Sequence, residues 1–391
     1  MSSQVHVRDS DNLNVPSDQA SGITNGYKTD IQVYPSTSAC SFGSFTIVDI
    51  KPMNVFVESV VLNFNVSAIS GITGGTPYLL PACFWCSRID LCINDTVIDS
   101  FVDTSIFWAH QLFSLSDEQR SITNYGMGIY NSTSQMNGLA STTSDYFVEL
   151  WALFRQTHVP ICFPTHNIQL RIYMKSLSDV FVANGGTGTA SATINSCSAI
   201  VKQTRMTSQE VSNWVSNIQK IPRHLRFYET RYQIISQPSG VSNGQYLLTS
   251  LSGASCDFLC FAIRAGSTGV NLIQYTALSN FDILDAGGQS LTGGSQVSAA
   301  RNNRLHSKYF TNTTYLVENS NNNVYCFAFS HDPVISNNLA PSNENFYRFT
   351  GGESLKITYT SSLANAVEIF VFATCRSALS MSPSKVTKIS I

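Results

Sequence analysis

The sequence predicts an all-β protein of two similar antiparallel sandwiches that follow one another along the chain, with few short helices. Three observations carry this prediction. Apolar and polar residues alternate with a period of two over many short segments, charged residues make up only 12% of the 391 residues, and the same order of strand patterns occurs twice. Apolar residues amount to 43%, so the composition excludes a largely disordered chain.

The period of two defines the predicted strands. The segments that alternate most clearly are 60–66, 89–94, 168–174, 228–234 and 355–360. Each pattern predicts a strand with one face in a core and the other facing outward. Two further segments, 258–263 and 369–373, are apolar on both faces and predict fully buried strands. Strands that alternate with long helices are absent, which argues against a parallel α/β fold.

Two helices are predicted. The first covers Thr207 to Gln219, where Thr207 and Glu210 form a capping box and Pro222 ends the helical pattern. The second covers about Thr104 to Phe113, with apolar residues on one side.

The helix near the middle of the chain separates two halves with the same plan. Leu170 corresponds to Leu355 and Asp90 to Asp282, at nearly the same separation and in the same order, which indicates a duplicated β domain. Two eight-stranded sandwiches satisfy this pattern. The predicted organisation is an arm at 1–34, a first sandwich at 35–206, a connecting helix at 207–222, a second sandwich at 223–378 and a tail at 379–391.

Three segments lack any periodicity and are long for loops, namely 115–145, 184–195 and 286–323. All three are rich in Ser, Thr, Asn and Gly. Loops of this length are usually functional or disordered, and the third has room for a short helix.

Two motifs that contain cysteine have spacings found in redox or metal sites. Cys83 and Cys86 form a CxxC motif, but it follows a proline and enters a strand, and no second CxxC completes a zinc site. His158, Cys162 and His166 have the spacing of a helical metal face, but the prolines between them prevent that helix. Most of the ten cysteines lie in apolar segments and are predicted to be free and buried, which fits a reducing compartment.

No other segment predicts a catalytic, cofactor or metal site. Gly185, Gly186 and Gly188 lie between strands, so they do not form a phosphate-binding loop before a helix. The net charge of −2 gives no support for direct nucleic-acid binding. The first thirty residues contain no apolar core of a secretory signal, and no apolar segment is long enough for a membrane-spanning helix.

Weak glycosylation sequons occur at Asn94, Asn131 and Asn312, and a further one at Asn65 is the least favoured because it falls inside a predicted strand. In a chain rich in Asn, Ser and Thr, such sequons arise by chance.

Several segments, in this order, resemble the double jelly-roll major capsid proteins of eukaryotic DNA viruses, which include nucleocytoplasmic large DNA viruses, virophages and polinton-like viruses. The segment RIDLCINDTVIDSF, followed by SIFWAHQL, is similar to the strand–turn–strand–helix signature of that family. The other segments that carry the resemblance are NVFVESVVLNFNV, LFRQTHVPICFPTHNIQLRIYM and SHDPVISNNLAPSNENFYRFTGGESLKITY. One departure is Asn94-Asp95, where many members have Gly-Gly; Asn and Asp tolerate the same turn.

The resemblance implies two consecutive eight-stranded jelly rolls and a structural protein of the virion, assembled inside the host cell. It implies homotrimers of pseudo-hexagonal outline that tile an icosahedral shell beside penton and minor capsid proteins. Neither a cofactor nor direct binding of nucleic acid is implied, and an internal membrane stays open.

Two alternatives stay open beside a capsid protein. A carbohydrate-binding β-sandwich, a spike or a minor capsid protein needs an exposed aromatic platform or calcium-binding carboxylates, and neither is clustered in the sequence. A double jelly-roll glycan-processing enzyme needs converging carboxylates. Asp90 and Asp282 occupy equivalent strands in separate domains, so no enzyme is predicted.

Overall fold

The computed structural model describes residues 29–51, 53–113, 117–130, 132–150, 159–266, 269–272, 275–293, 298–299, 323–329 and 346–390. Antiparallel strands dominate these ranges, as the sequence predicted. Within them, no helix combines the length and the hydropathy needed to cross a membrane.

In the first half of the chain, residues 29–205, the described part contains thirteen strands. They are β1 (Thr29–Pro35), β2 (Phe45–Ile50), β3 (Val55–Val66), β4 (Ser70–Thr73), β5 (Tyr78–Leu79), β6 (Cys86–Ile93), β7 (Thr96–Phe101), β8 (Ser144–Glu149), β9 (Val159–Ile161), β10 (Ile168–Met174), β11 (Phe181–Val182), β12 (Thr187–Ser191) and β13 (Ile194–Arg205). Its α-helices are α1 (Asp103–Phe113), α2 (Asp117–Met127), α3 (Thr133–Ala140) and α4 (Leu177–Val180). Short 3-10 helices lie at Ala82–Phe84 and Pro164–His166.

Helix α5 (Ser208–Lys220) leads into the second half, residues 223–390. The strands described there are β14 (Arg223–Gln237), β15 (Asn243–Leu247), β16 (Ser255–Arg264), β17 (Leu278–Leu284), β18 (Val324–Ala328), β19 (Tyr347–Arg348), β20 (Ser354–Tyr359), β21 (Val367–Met381) and β22 (Val386–Ser390). Short 3-10 helices lie at Thr249–Leu251 and Gly269–Leu272.

Each half contains two main sheets, and the strand orders correspond. In the first half, sheet I has the order β1-β13-β3-β8, with β9 also paired to β3, and sheet II has the order β2-β10-β6-β7. In the second half, sheet III has the order β14-β21-β16-β18, with β19 beside β16 and β22 beside β21. Sheet IV has the order β15-β20-β17. Sheet III repeats the order of sheet I with β22 added, and sheet IV repeats the order of sheet II without a strand equivalent to β7 among the described residues.

The register of the paired strands confirms the duplication. In sheet II, Arg171 lies opposite Asp90, and in sheet IV Lys356 lies opposite Asp282. Both aspartates are buried and accept a hydrogen bond from a serine that follows on the chain: Ser100 Oγ lies 2.7 Å from Asp90, and Ser290 Oγ lies 2.6 Å from Asp282. The two carboxylates therefore have the same structural role, each in its own half.

The two predicted helices are confirmed. Helix α5 begins after Thr207, whose Oγ1 accepts a hydrogen bond from the Glu210 N–H, while the Glu210 carboxylate accepts one from the Thr207 N–H at 2.7 Å. Helix α1 begins at Asp103, next to the predicted Thr104. The Asn94-Asp95 turn between β6 and β7 has φ of 50° and 60°, the left-handed conformation in which Asn and Asp replace glycine.

The expectation of long loops was wrong in two places. The segment 115–145 contains α2 and α3, and 184–195 contains β12, which pairs with β4. Helix α3 consists largely of small and polar residues and buries only Ala140, so it carries no apolar period. Strand β12 has no buried side chain and therefore shows no alternation. Most of the third segment, 286–323, lies outside the described residues.

The predicted ends of the two sandwiches also need correction. Strand β1 starts at Thr29, inside the segment assigned to the arm, and pairs with β13. Strand β21 continues to Met381 and β22 pairs with its end, so the segment assigned to a tail is part of sheet III. Both boundaries were misplaced because edge strands with mixed exposure alternate only weakly.

We predict that Thr207→Ala lowers the free energy of unfolding by about 1 kcal/mol, because it removes the acceptor for the Glu210 N–H at the start of α5. Urea denaturation followed by circular dichroism measures the change. Thr207→Ser is the control, since it keeps the hydroxyl and should retain most of the stability. Equal midpoints for the Ala variant and the parent chain would contradict the role of this cap.

Candidate assembly surface

Sheet III is covered on both faces, which explains the strands that are apolar on both sides. Along β16, the side chains that fill the core of the second half are Leu259, Phe261 and Ile263, and those that face the first half are Phe258, Cys260 and Ala262. All six are fully buried. Strand β21 follows the same rule, so the prediction of two fully buried strands is confirmed.

Helix α1 of the first half makes an apolar contact with sheet III. The Trp108 ring packs edge-on against Phe370, with the ring centroids 5.3 Å apart, and against Phe372 at 6.4 Å. Its indole Nε1 donates a hydrogen bond to the Tyr275 hydroxyl at 3.3 Å. A large aromatic side chain with its polar atom satisfied fixes the helix on the sheet.

A buried chain of charges crosses the same interface. Arg264 at the end of β16 is 3% exposed, and its Nε donates to the Glu368 carboxylate at 2.8 Å. Its Nη1 donates to Thr104 Oγ1 of the first half at 3.1 Å and also contacts Asp103. Lys175 forms a second ion pair with Asp103. Because buried charges are costly unless they are paired, these contacts favour one relative orientation of the halves.

A second polar cluster joins β7 to sheet III. Asp99 accepts hydrogen bonds from the Thr230 N–H at 3.2 Å and from the Thr230 hydroxyl at 2.9 Å. The neighbouring Glu229 pairs with Arg231 at 2.8 Å and with Lys388 of β22. Burial, together with the negative charge of Glu229, raises the pKa of Asp99 to about 7, although Lys388 opposes the shift.

The hairpin of β21 and β22 docks on the first half. His166 Nε2 lies 2.7 Å from the Ser382 carbonyl oxygen, and the Thr165 hydroxyl donates to the Pro383 carbonyl at 2.6 Å. The Thr96 hydroxyl donates to the Val386 carbonyl at 3.0 Å. Burial lowers the pKa of His166, which favours the neutral ring. His166 is therefore a structural residue that positions the hairpin.

On the corresponding outer face of sheet I, which we call the open face, the described side chains are exposed at the β1 edge and mostly half-buried on β13 and β3. On β1, Ile31 is 65% exposed and Val33 is 60% exposed. Val33 lies opposite Ile200, which lies opposite Val61, so an apolar row crosses three strands. Polar residues flank the row on the same face, namely Ser59, Asn63, Ser198 and Lys202. The internal duplication thus produces one sheet face that is buried and an equivalent face that is open.

The described members of the cysteine and histidine motifs are buried and are packed against other side chains or the backbone. Cys83 and Cys86 are buried, burial raises the pKa of both thiols, and the Cys86 thiol lies 3.6 Å from the Met174 sulfur. Cys162 likewise contacts a methionine, Met206, at 3.4 Å. His158 lies outside the described residues. Within the described part of the chain, no group of three or more His, Cys, Asp or Glu is placed to hold a metal ion.

The glycine motif has a packing role in the structure. A Cβ on Gly186 would lie 2.8 Å from the Gly74 carbonyl oxygen, and a Cβ on Gly75 would lie 2.2 Å from the Gly186 nitrogen. The loop before β12 and the loop after β4 therefore approach each other backbone to backbone, which requires residues without a side chain.

Two of the four sequon asparagines, Asn65 and Asn94, lie in the described part of the chain. Asn94 is half-buried in the β6–β7 turn, and its Nδ2 donates to the Ser384 carbonyl at 3.4 Å, which disfavours a glycan there. Asn131 and Asn312 lie outside the described residues. Asn65 lies in β3, where its amide nitrogen donates to Asp145 at 2.9 Å.

Sequence reasoning did not find the contacts between the halves. The sequence patterns did not identify Arg264, Asp103 or Asp99. An arginine at the end of a strand that is apolar on both faces nevertheless indicates a buried ion pair. A charge in that position has to find a buried partner. Its partners lie far away along the chain, so the sequence could indicate a pair but not its members.

We predict that Asp99→Asn weakens the pH dependence of stability. The folded-state pKa of about 7 lies above the ordinary value of 3.8, so unfolding releases this proton and stability falls as the pH rises between about 4 and 7. Asparagine keeps the acceptor oxygen for Thr230 but carries no charge. Between pH 5 and pH 8, the midpoint of thermal unfolding of the variant should therefore rise relative to that of the parent chain.

The control for this measurement is Asp95→Asn, whose carboxylate is 85% exposed in the β6–β7 turn. A constant difference in unfolding midpoint between the Asp99 variant and the parent chain at every pH would show that Asp99 does not titrate in this range.

The fold is shared with structures of viral capsids. The chain matches a chain of the quasi-atomic model of the PBCV-1 virus capsid with a TM-score of 0.71 and 15% identity, covering 93% of this chain and 97% of that one. It matches the Faustovirus major capsid protein with a TM-score of 0.65 and 10% identity, covering 91% of each. It also matches the mavirus major capsid protein with a TM-score of 0.53 and 10% identity, covering 98% and 95%.

No protein-family model and no curated protein matches the sequence. The matches span nearly the whole chain and include both halves. The chain therefore has the double jelly-roll fold found in viral major capsid proteins.

Proposed function

We propose that this protein is the major capsid protein of an icosahedral virus and that it assembles as a homotrimer. The observation that carries the proposal is the contrast between two equivalent sheet faces: the outer face of sheet III is buried against the first half, whereas among the described residues Ile31 and Val33 on the open face of sheet I are exposed. A second copy that repeats the contact made within the chain would cover it.

Repeating the internal contact between chains produces a closed ring. The contact joins the outer sheet face of one jelly roll to a different surface of the next, so it is head-to-tail, and such contacts form rings when the rotation closes. Three chains supply six similar jelly rolls, which gives a trimer of pseudo-hexagonal outline. Trimers of this shape tile a flat facet of a shell.

The composition of the open face suits an interface that forms after folding. Sheet III presents aromatic and small apolar side chains to the first half, whereas the open face combines the row of Val33, Ile200 and Val61 with polar neighbours. Interfaces between separately folded proteins have this mixed composition, and interfaces that are never exposed are more apolar.

The surface of the next copy that meets the open face follows from the same duplication. Within the chain, β7 at the edge of sheet II and the following helix α1 cover sheet III. The equivalent edge of sheet IV is β17. We therefore infer that the β17 edge of one copy approaches the open face of its neighbour.

In this proposal the protein has no catalytic activity and resides in the virion. Its partners are other copies of itself within and between trimers, and penton and minor capsid proteins at the vertices and seams. A net charge of −2 limits repulsion between closely packed copies and gives no support for binding of nucleic acid by an overall excess of positive charge.

We predict that Val33→Glu prevents trimer formation without unfolding the chain, because the side chain is 60% exposed in a single copy but would be buried by a neighbour. Sedimentation velocity should show the parent chain as a species of three 42.8 kDa chains and the variant mainly as one. Circular dichroism should be unchanged.

The matched control is Leu247→Glu. Leu247 is 54% exposed on β15, at the edge of sheet IV away from β17, so this variant should still form trimers. Trimers from the Val33 variant would refute the assignment of the open face, and a parent chain that stays monomeric at all concentrations would refute the proposed function.

A further inference from the structure

Strand β16 carries two cysteines, and each lies against a cysteine of a neighbouring strand. Cys256 is directly opposite Cys375 on β21, and Cys260 is directly opposite Cys326 on β18. The two sulfur atoms are 2.7 Å apart in each pair. All four side chains are fully buried.

We propose that these two pairs are modification sites, at which oxidation forms the disulfides Cys256–Cys375 and Cys260–Cys326. Residues directly opposite each other in an antiparallel ladder have Cα atoms about 4.5–5.5 Å apart, within the range that a disulfide spans. The two bonds would join β16 to the strands on both its sides, so that three adjacent strands of sheet III become covalently linked.

The pairing on β16 is not a general result of burial. All ten cysteines are buried and free, but Cys86 and Cys162 contact methionine sulfurs. Cys40 and Cys197 also form a thiol–thiol contact, but that contact joins a loop residue to β13 rather than two residues directly opposite each other in a ladder. The two pairs on β16 also face opposite sides of the sheet. Cys256 and Cys375 lie in the core of the second half, and Cys260 and Cys326 lie against the first half.

The chemistry requires an oxidant, and a low-molecular-weight disulfide such as glutathione disulfide is sufficient. One cysteine thiolate attacks the small disulfide and releases one glutathione thiol. Its partner then attacks the mixed disulfide, forms the protein disulfide and releases the second glutathione. Two electrons pass from the two protein thiols to glutathione disulfide for each bond formed, and the two protons leave with the released thiols.

The burial of the four sulfurs determines when the reaction occurs. In the folded sheet a small disulfide cannot reach them, so oxidation takes place before sheet III closes or during its transient opening. Once formed, the bonds would be shielded from reductants by the same packing. The Cys260–Cys326 bond would also close the base of the long connection from β16 to β18, which includes the segment 286–323.

The test is refolding of the full-length reduced chain with glutathione disulfide or with dithiothreitol. Free thiols are then alkylated, and the unreduced protein is digested and analysed by mass spectrometry. Glutathione disulfide should give cross-linked peptides that join Cys256 to Cys375 and Cys260 to Cys326. Oxidation should also raise the midpoint of thermal unfolding, by about 5–10 °C, in a manner that dithiothreitol reverses.

Cysteine-to-serine variants test whether the rise in the unfolding midpoint comes from these two pairs. The double variant Cys256→Ser with Cys260→Ser should lose the oxidant-dependent rise, and Cys92→Ser, which changes a buried cysteine outside the pairs, should retain it. The same peptide analysis is made on native protein held with glutathione disulfide just below its unfolding transition. Alkylation of all four cysteines in both experiments, or a disulfide that joins any of the four to a cysteine other than its proposed partner, would overturn the proposal. The proposal does not depend on capsid assembly, because it is tested on a single chain.

Discussion

The burial of sheet III on both faces is the constraint on which the rest of the structure depends. One face closes the core of the second half, and the other receives α1 and the β7 edge of the first half. A sheet that is buried on both faces has no solvent-facing polar side chains to fix how it packs against its neighbours. Polar contacts at its edges fix that orientation instead. At one end Arg264 contacts Asp103 and Thr104 of the first half, and along β14 Thr230 donates to Asp99 of β7, so the halves pack in one orientation.

The two halves are alike in topology and different in what covers them. The pairing of Arg171 with Asp90 recurs as Lys356 with Asp282, which shows that strand order and register were kept after duplication. The outer sheet faces differ in composition: one is covered within the chain, and in the proposed assembly the other is exposed until a neighbouring copy binds. The polar residues on the open face fit that proposal, because they limit the apolar area that a single copy presents to water.

The fold could be predicted from the sequence wherever one local pattern decided the structure. The alternating strand at 168–174, the doubly apolar strand at 258–263 and the capping box at Thr207 were all found in this way. Helix α3 and strand β12 were missed because they bury few apolar side chains and therefore carry no period. The contacts between Trp108 and Phe370, and between Asp99 and Thr230, could not be predicted because they join residues that only the tertiary structure brings together.

The central claim is that a second copy of the chain covers the open face in the same way as the first half covers sheet III. Electron cryo-microscopy of the assembled protein tests this most directly. The account predicts a ring of three chains in which density from the β17 edge of a neighbour lies over Val33, Ile200 and Val61. An assembly in which these side chains face solvent, or a ring closed through another surface, would contradict it.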